Sequence, residues 1–208
     1  MNNQNLTIAC PKGRLEVKVV KYLSERGIII EQPFFNESVR KLTFDTNFKE
    51  IKVIKLKPSD IRSYIMLGAA DIGFIGYDEI LENSSQNIVL LKKTNIGKCR
   101  ISIASDKKEI NFSEKKIFKV ATKFQNISEN YFRDLNIQTE TIKLNGSIEL
   151  AVKYQIADFI LDLVQSGKTL KDNQLYENVI INNDISTVII SSYCLLYTSD
   201  AADEWRSV

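Results

Sequence analysis

Short apolar runs alternate with helical patterns along most of this 208-residue chain, and this alternation limits the possible folds more than any other feature. Strands that alternate with helices are typical of βαβ units, whose strands pair largely in parallel. About ten runs are predicted as strands, which is more than one compact open sheet usually contains. The sequence therefore predicts an α/β protein of two lobes with a ligand cleft between them.

Apolar periodicity and helix start and stop signals give the individual elements. The predicted strands are Leu6–Cys10, Ile51–Leu56, Asp71–Ile75, Ile88–Leu91, Ile101–Ser105, Ile117–Thr122, Thr139–Leu144, Phe159–Val164, Val179–Ile181 and Thr187–Ile190. The predicted helices are Leu15–Arg26, Ser59–Leu67 after Pro58, a turn ending at Leu81, Ser128–Leu135 with Ser128 as N-cap, Ser147–Tyr154, and one that starts after Gly167.

The polar stretch at 92–100 is predicted to cross between the lobes. Residues 1–95 with about 180–193 are assigned to lobe I, and residues 96–179 to lobe II. From residue 194 the alternation is lost, and residues 194–208 are interpreted as a non-native or disordered tail.

Composition excludes several kinds of chemistry. The chain has no histidine, so Ser-His-Asp and Cys-His catalysis and histidine-based zinc hydrolase sites are excluded. Its three cysteines are far apart and support neither a disulfide framework nor a zinc site. A net charge of +2 with dispersed Lys and Arg does not favour nucleic acid. With no secretory signal and no long apolar run, we expect a cytoplasmic protein without a membrane partner.

The stretch "ILDLVQSGKTL" places Ser166, Gly167, Lys168 and Thr169 between a strand and a helix. A Walker A loop would need a glycine five residues before Gly167, where the chain has Asp162, so a P-loop kinase or ATPase is opposed. Glycine, hydroxyls, a lysine and free helix amides can bind one phosphate. An ordinary turn that Ser166 merely caps explains the same residues equally well.

Other strand ends carry similar groups. Asp162 near its strand end could accept hydrogen bonds from sugar hydroxyls, and Glu149 begins a helix either as a second such carboxylate or as a capping group. Basic or glycine-containing turns also occur at "ACPKGRL", "GAADIGFIGYD" and "GKCR". Together these turns indicate a substrate with more than one phosphate group.

The segment "ELAVKYQIADFILDLVQSGKTL", Glu149 to Leu170, resembles the signature of the short form of ATP phosphoribosyltransferase. The segments "PKGRL", "RKLTFD", "LKPSDI", "GAADIGFIGYD", "GKCR" and "KLNGSIEL" are similar to family segments in the same order, so the likeness covers Leu6 to Ser191. Gln155 stands where the family usually has glycine, and we expect it to alter a helix C-cap without touching a ligand.

The resemblance implies a fold of two lobes similar to type II periplasmic binding proteins, not the common phosphoribosyltransferase fold. It implies transfer of phosphoribose from phosphoribosyl pyrophosphate to N1 of ATP with release of pyrophosphate, in the presence of Mg²⁺, as the first step of L-histidine biosynthesis. It also implies a homodimer within a hetero-oligomer that contains a regulatory subunit resembling histidyl-tRNA synthetase.

The resemblance also implies roles for individual residues, with metal ligands left unassigned. The implied catalytic residues are Lys12, Arg14, Glu149 and Asp162. Those implied to bind phosphoribosyl pyrophosphate are Glu149, Asp162, Ser166, Gly167, Lys168, Thr169 and Leu170. Those implied to bind ATP are Lys12, Gly13, Arg14, Arg40, Asp71, Lys98 and Arg100. The alternatives are a non-catalytic two-lobed binding protein for a phosphorylated small molecule and an inactive copy.

Overall fold

The chain forms two compact units in a computed structural model that describes residues 5–32, 34–35, 40–83, 87–114 and 116–193. The first unit comprises the described residues within Met1–Glu79, Ser85–Gly97 and Ser186–Val208. The second comprises those within Ile80–Ser84 and Lys98–Ile185. The interpretation of residues 194–208 as a tail concerns residues outside the described ranges.

The described residues form eleven strands and six helices. The strands are β1 (Leu6–Pro11), β2 (Thr43–Asp45), β3 (Ile51–Leu56), β4 (Ile72–Gly76), β5 (Ile88–Lys93), β6 (Cys99–Ser105), β7 (Phe118–Thr122), β8 (Thr139–Lys143), β9 (Phe159–Val164), β10 (Tyr176–Ile185) and β11 (Thr187–Ser192). The helices are α1 (Glu16–Ser24), α2 (Pro58–Met66), α3 (Tyr77–Glu82), α4 (Gln125–Asp134), α5 (Glu149–Lys153) and α6 (Lys168–Asp172).

The first unit is built on a six-stranded sheet in the order β2-β3-β1-β4-β11-β5. The apolar face of α1, with Val19 and Leu23 one turn apart, is buried against the β1 side of this sheet. Helix α2 lies so close to β4 that a Cβ on Gly73 would approach Cγ2 of Ile61 to 2.7 Å. Since only glycine fits there, this position fixes how closely α2 packs on the sheet.

The second unit is built on a five-stranded sheet in the order β10-β6-β9-β7-β8. Its parallel part is β8-β7-β9, and its core includes Ile160 and Val164 of β9 together with Leu170 of α6. The carboxyl ends of β8 and β9 consequently lie at one edge of the sheet.

The prediction of largely parallel sheets is wrong. The pairs β1–β3, β1–β4, β7–β8 and β7–β9 are parallel, whereas β2–β3, β4–β11, β5–β11, β6–β9 and β6–β10 are antiparallel. Alternation of strands and helices predicts parallel pairing only where the helix connects two strands of the same sheet. Strand β5 is followed by β6 in the other sheet, and β10 by β11, with no helix between them.

The return of the chain to the first unit also differs from the predicted position near residue 180. Strand β10 stays paired with β6 as far as Ile185, so the first unit resumes only at Ser186. The run Val179–Ile181 is the apolar centre of this longer strand.

Ser128 is not the N-cap of its helix, as we predicted, but a buried residue inside α4. The helix begins at Gln125, and the carboxylate of Glu82 accepts the backbone N–H groups of Asn126 and Ile127, each at 3.0 Å. These are two of the first-turn amides that have no partner within a helix. A capping carboxylate 44 residues away leaves no local sequence signal.

Gln155 lies just past the end of α5 with a left-handed φ of 56°. The N–H of Ile156 donates to the carbonyl of Ala151 at 2.8 Å, which closes the Schellman type of helix end. Glycine adopts this conformation without strain, whereas a residue with a Cβ is strained by roughly 1–2 kcal/mol. The expected position of Gln155 at a helix C-cap is confirmed.

We therefore expect Gln155→Gly to raise the free energy of unfolding by about 1 kcal/mol, since relief of the strain exceeds the extra entropy of an unfolded glycine. Urea denaturation followed by circular dichroism measures this change. Gln155→Ala, which keeps the Cβ, is the matched control and should give no gain. An equal gain from alanine would show that the strain is not the cause.

Candidate functional site

The predicted phosphate turn follows the carboxyl end of β9 and leads into α6. Gly167 is the N-cap of α6 and has left-handed dihedrals, φ 74° and ψ 3°. A Cβ at Gly167 would come no closer than 3.9 Å to any neighbour, the nearest being Nη2 of Arg100. Conformation, rather than crowding, is therefore the reason for glycine at this point.

The residues around Gly167 divide between exposed groups and an anchor. Lys168 and Thr169 are exposed, and the Ser166 hydroxyl accepts the N–H of Lys168 at 3.3 Å. This contact lies within the turn, and the N-cap of α6 is Gly167 with no side-chain cap hydrogen bond, so the interpretation of Ser166 as the helix cap is wrong. Leu170, predicted as a ligand-binding residue, is buried in the core of the second unit. Its side chain anchors α6 because the apolar face of this short helix must turn towards the sheet.

The two predicted carboxylates lie at the same edge of the second sheet as this turn. Asp162 is a half-buried residue of β9, in register with Ser102 of β6. Glu149 is half-buried and is the first residue of α5, which follows the carboxyl end of β8. Since β8, β7 and β9 are parallel, one sheet edge carries Glu149, Asp162 and the turn.

Arg100, predicted to bind ATP, lies in the second unit beside the turn. It is in register with Val164, the last residue of β9. Its Nε and Nη2 donate to the carboxylate of Glu177 at 2.5 and 2.6 Å, and its Nη1 donates to the carbonyl of Gln165 at 3.2 Å. Hydrogen bonds from Arg100 hold the pKa of Glu177 below its ordinary value, and the same bonds raise the pKa of Arg100. Lys98, just before β6, is exposed.

In the first unit, Lys12, Gly13 and Arg14 form an exposed turn after β1. The N–H of Lys12 donates to the carbonyl of Leu56 at 2.7 Å, which holds this turn beside the end of β3. Gly13 has a φ of 88°, and its N–H donates to Oε2 of Glu16 at 3.2 Å. The turn is therefore fixed through its backbone while its two cationic side chains face solvent.

A buried ion pair that we did not predict supports this turn. The Nζ of Lys55 pairs with Oε1 of Glu16 and donates to the carbonyl of Phe34 at 2.9 Å. The two side chains are only 11% and 13% exposed. Burial, with a smaller contribution from Glu16, raises the pKa of the neighbouring Cys10 thiol to about 12. Cys10 is therefore a protonated core residue rather than a nucleophile.

Two further cations lie at the edge of the first sheet that carries the turn of residues 12–14. Lys57, exposed after β3, was not singled out, although the Lys-Pro helix start in "LKPSDI" marks it as the residue at a strand end. Arg40 is exposed and precedes β2, whose first residue pairs with Ile54 near the end of β3. Lys12 and Arg14 follow β1, Lys57 follows β3 and Arg40 precedes the antiparallel strand β2, so all four cations lie at the same edge of the first sheet.

Asp71 lies at the opposite edge of the first sheet, away from these cations. Its Oδ2 accepts the N–H of Thr7 at 2.6 Å, and its carbonyl accepts the Ser191 hydroxyl at 2.7 Å. A carboxylate near the start of β4 that binds the start of β1 has a structural role. The predicted place of Asp71 among the ATP-binding residues is therefore not supported by its position.

A cavity of about 360 Å³ in the second unit lies apart from the predicted residues. It is lined in part by Phe118 and Phe159, which are the first residues of β7 and β9. It therefore opens at the amino edge, opposite the phosphate turn. In the described ranges, no group of three or more Cys, Asp or Glu side chains is arranged to hold a metal ion.

None of the helices in the described part of the chain is long and apolar enough to cross a membrane.

Cationic side chains and a glycine turn at the carboxyl ends of parallel strands are typical of α/β proteins that bind phosphorylated ligands. The family model described as HisG: ATP phosphoribosyltransferase matches residues 57–205. The chain belongs to the ATP phosphoribosyltransferase family, which confirms the resemblance. The matched range includes most of the segment interpreted as a tail.

Relatives named ATP phosphoribosyltransferase are similar over most of the chain. The protein of Brachyspira hyodysenteriae is 42% identical over 170 residues, 82% of this chain and 81% of the relative. That of Bacillus subtilis is 36% identical over 202 residues, 97% of this chain and 92% of the relative.

Two solved structures bear on the fold. The ATP phosphoribosyl transferase (HisG:HisZ) complex from Thermotoga maritima matches with a TM-score of 0.78 at 30% identity, over 95% of this chain and 92% of that one. The probable amino-acid ABC transporter extracellular-binding protein ytmK from Bacillus subtilis matches with a TM-score of 0.57 at 11% identity, over 97% and 90%. The second likeness concerns the fold alone, and it confirms the predicted class of two α/β units similar to periplasmic binding proteins.

Proposed function

We propose that this chain transfers phosphoribose from phosphoribosyl pyrophosphate to N1 of ATP and releases pyrophosphate, the first step of L-histidine biosynthesis. The observation that carries the proposal is the family signature, Glu149 to Leu170, which folds along one sheet edge with its two carboxylates and its turn. Family membership supports the same reaction.

In this proposal the second unit binds phosphoribosyl pyrophosphate. The amides of the Gly167 turn, the Thr169 hydroxyl and the Lys168 ammonium bind the 5′-phosphate, because such donors together favour a compact dianion. Asp162 and Glu149 accept hydrogen bonds from the ribose hydroxyls, which orients C1 for attack. The half-burial of both carboxylates supports this role, since it limits their competition with water.

The cationic side chains near the strand ends of the first unit are suited to bind the phosphates of ATP or of the leaving pyrophosphate. Lys12 and Arg14, with Arg40 and Lys57, supply positive charge for ATP or for the leaving pyrophosphate, and Lys98 of the second unit is a further candidate. Each side chain is exposed, so each can reach a phosphate at little desolvation cost.

This reaction needs no histidine. Adenine N1 has a lone pair and requires no general base, whereas positive charge develops on the sugar as its C1 bond breaks. Cationic groups that stabilise the departing pyrophosphate lower the barrier. Alignment of two bound substrates could contribute about 7 kcal/mol. The side chains proposed for the site can therefore promote this reaction by positioning the substrates and by stabilising charge, without a histidine.

We propose that Mg²⁺ takes part as a complex with the substrate phosphates. Proteins usually bind this ion through one or two carboxylates, substrate phosphates and water, so a dedicated ligand cluster is not needed. Glu149 and Asp162 have the appropriate oxygen donors. When bound, the ion neutralises phosphate charge.

The likeness to a HisG:HisZ complex supports a proposed assembly. We propose that this chain works in the cytoplasm as a homodimer within a hetero-oligomer, together with a regulatory subunit similar to histidyl-tRNA synthetase.

Pyrophosphate release tests the activity. The chain, with and without the proposed regulatory subunit, is mixed with ATP, phosphoribosyl pyrophosphate and Mg²⁺, and the N1-phosphoribosylated nucleotide is identified by mass spectrometry. We expect both products in equal amounts, and none when ATP is omitted. Asp162→Asn should greatly reduce turnover while the circular dichroism spectrum is unchanged.

The alternative is a non-catalytic protein that binds a phosphorylated small molecule, and the shared fold with an extracellular binding protein is compatible with it. Such a protein would bind phosphoribosyl pyrophosphate in calorimetry yet release no pyrophosphate even with the regulatory subunit present. That result would reject the proposed transfer.

A further inference from the structure

We propose that Glu177 is a positioning residue for phosphoribosyl pyrophosphate, which acts by holding Arg100 against the turn that binds the 5′-phosphate. This inference rests on the proposed function and adds to it a residue outside the family signature. Glu177 belongs to β10, and no prediction from the sequence included it.

The contacts between Glu177 and Arg100 fix the guanidinium on two sides. Both carboxylate oxygens of Glu177 accept from Arg100, and Oε1 also accepts the hydroxyl of the buried Ser102 at 2.6 Å. The ion pair is partly shielded from water, with side chains 27% and 22% exposed. A two-point contact of this kind restricts both the position and the plane of an arginine more than a single bond does.

The remaining side of the guanidinium faces the turn. Nη1 of Arg100 donates to the carbonyl of Gln165, and Nη2 lies 3.9 Å from the place where a Cβ on Gly167 would be. Arg100 therefore contacts the chain at the residue where β9 gives way to the turn. Because Gly167 permits many backbone conformations, a fixed neighbour is needed to hold the turn in one of them.

The same face of the sheet also carries the ribose carboxylate. Opposing residues in an antiparallel pair have their side chains on one face, so Asp162 lies on the face of Ser102, its partner in register. Glu177 adds a second negative charge to this face, and Arg100 balances it. The loss of either partner would thus disturb the groups proposed for the sugar and its phosphate, but none of those in the first unit.

Glu177→Gln tests this directly because it keeps the shape of the side chain and removes its charge. We expect the KM for phosphoribosyl pyrophosphate to rise about 10-fold, as when a reacting group is slightly misplaced, while the KM for ATP changes less than about 2-fold. Calorimetric titration with phosphoribosyl pyrophosphate should show the same loss. A purely structural role would not separate the two substrates.

Glu114→Gln is the matched control. Glu114 also pairs with a cation of the second unit, Lys107 at 3.0 Å, but it is half-exposed and far along the chain from the turn. It loses the same charge and should leave both KM values unchanged. Arg100→Lys, which keeps a positive charge without the two-point contact, should reproduce the selective loss if Glu177→Gln does not fold.

The double variant Glu177→Gln/Arg100→Lys shows whether Glu177 acts through Arg100. If it does, the double variant is no worse than the worse single variant. Additive losses, equal losses for both substrates, or a wild-type KM in Glu177→Gln would each overturn the inference while the proposed function stands. A wild-type chain that releases no pyrophosphate with its regulatory subunit would instead overturn the proposed function, and this inference with it.

Discussion

Replacement of Thr169 by alanine is expected to raise the KM for phosphoribosyl pyrophosphate about 10- to 100-fold. A hydrogen bond to a charged group contributes about 1.5–3 kcal/mol, and each 1.36 kcal/mol is a factor of ten. The Thr169 side chain is exposed at the second position of α6, so its removal leaves the core intact. The KM for ATP should change less than about 3-fold. Steady-state kinetics with each substrate varied in turn measures both values.

Three further substitutions sharpen this result. Thr169→Ser retains the hydroxyl and should stay close to the wild type. Lys168→Met should also weaken use of phosphoribosyl pyrophosphate, whereas Lys171→Met, which removes the same charge nearly one turn further along the same helix from the Gly167 turn, should not. Small and equal effects of Thr169→Ala on the two substrates would contradict the assignment of the turn.

Lys55→Met is expected to lower the free energy of unfolding by about 3–5 kcal/mol. It removes the cationic partner of Glu16 and leaves a carboxylate that is only 13% exposed without its ion pair. Removal of one partner from a buried pair typically has a cost of this size because the other charge stays away from water. Urea denaturation of the wild type and the variant measures the loss.

The matched control is Lys52→Met on the same strand. Lys52 is 44% exposed and lies 3.9 Å from Asp45, so its removal should change the free energy of unfolding by less than about 0.5 kcal/mol. The double variant Lys55→Met/Glu16→Gln should recover most of the loss, since no buried charge then remains. Equal stability of Lys55→Met and Lys52→Met would show that the pair does not contribute through its burial.

Elements whose signals are contiguous were predictable from the sequence. Strands β3 and β9 have the predicted bounds, because each is a mostly apolar run that is followed by a polar residue. Pro58 is at the first position of α2, as expected from its missing N–H. The turn between β9 and α6 was also predictable, because strand, glycine, hydroxyls and helix start follow one another directly.

Features that join distant residues could not be predicted in this way. The carboxylate that caps α4 comes from Glu82, and the one that binds Thr7 comes from Asp71, 64 residues away. Local sequence does not show which of the chain's many acidic residues meets such a partner. The direction of a strand likewise depends on the sheet that it joins. Apolar periodicity does not show which sheet that is.

The candidate site shows the same division. Sequence reasoning identified Arg100 as a site residue but not its contact with Glu177, which lies 77 residues away. Lysine in a strand is usually solvated, so the burial of Lys55 gave no signal. The roles of such charged residues depend on contacts that form only in the folded chain.

The left-handed residues that end the helices differ between the two units. The first unit has Gly27 and Gly68 after α1 and α2, whereas the second has Asn136, Gln155 and Gln174 after α4, α5 and α6. Two helix ends of the first unit thus have glycine, which adopts this conformation without strain, whereas three helix ends of the second unit have residues with a Cβ. Substitutions that raise the thermal stability of the enzyme are therefore expected mainly in the second unit, at these helix ends, where a change of backbone strain need not alter the proposed reaction.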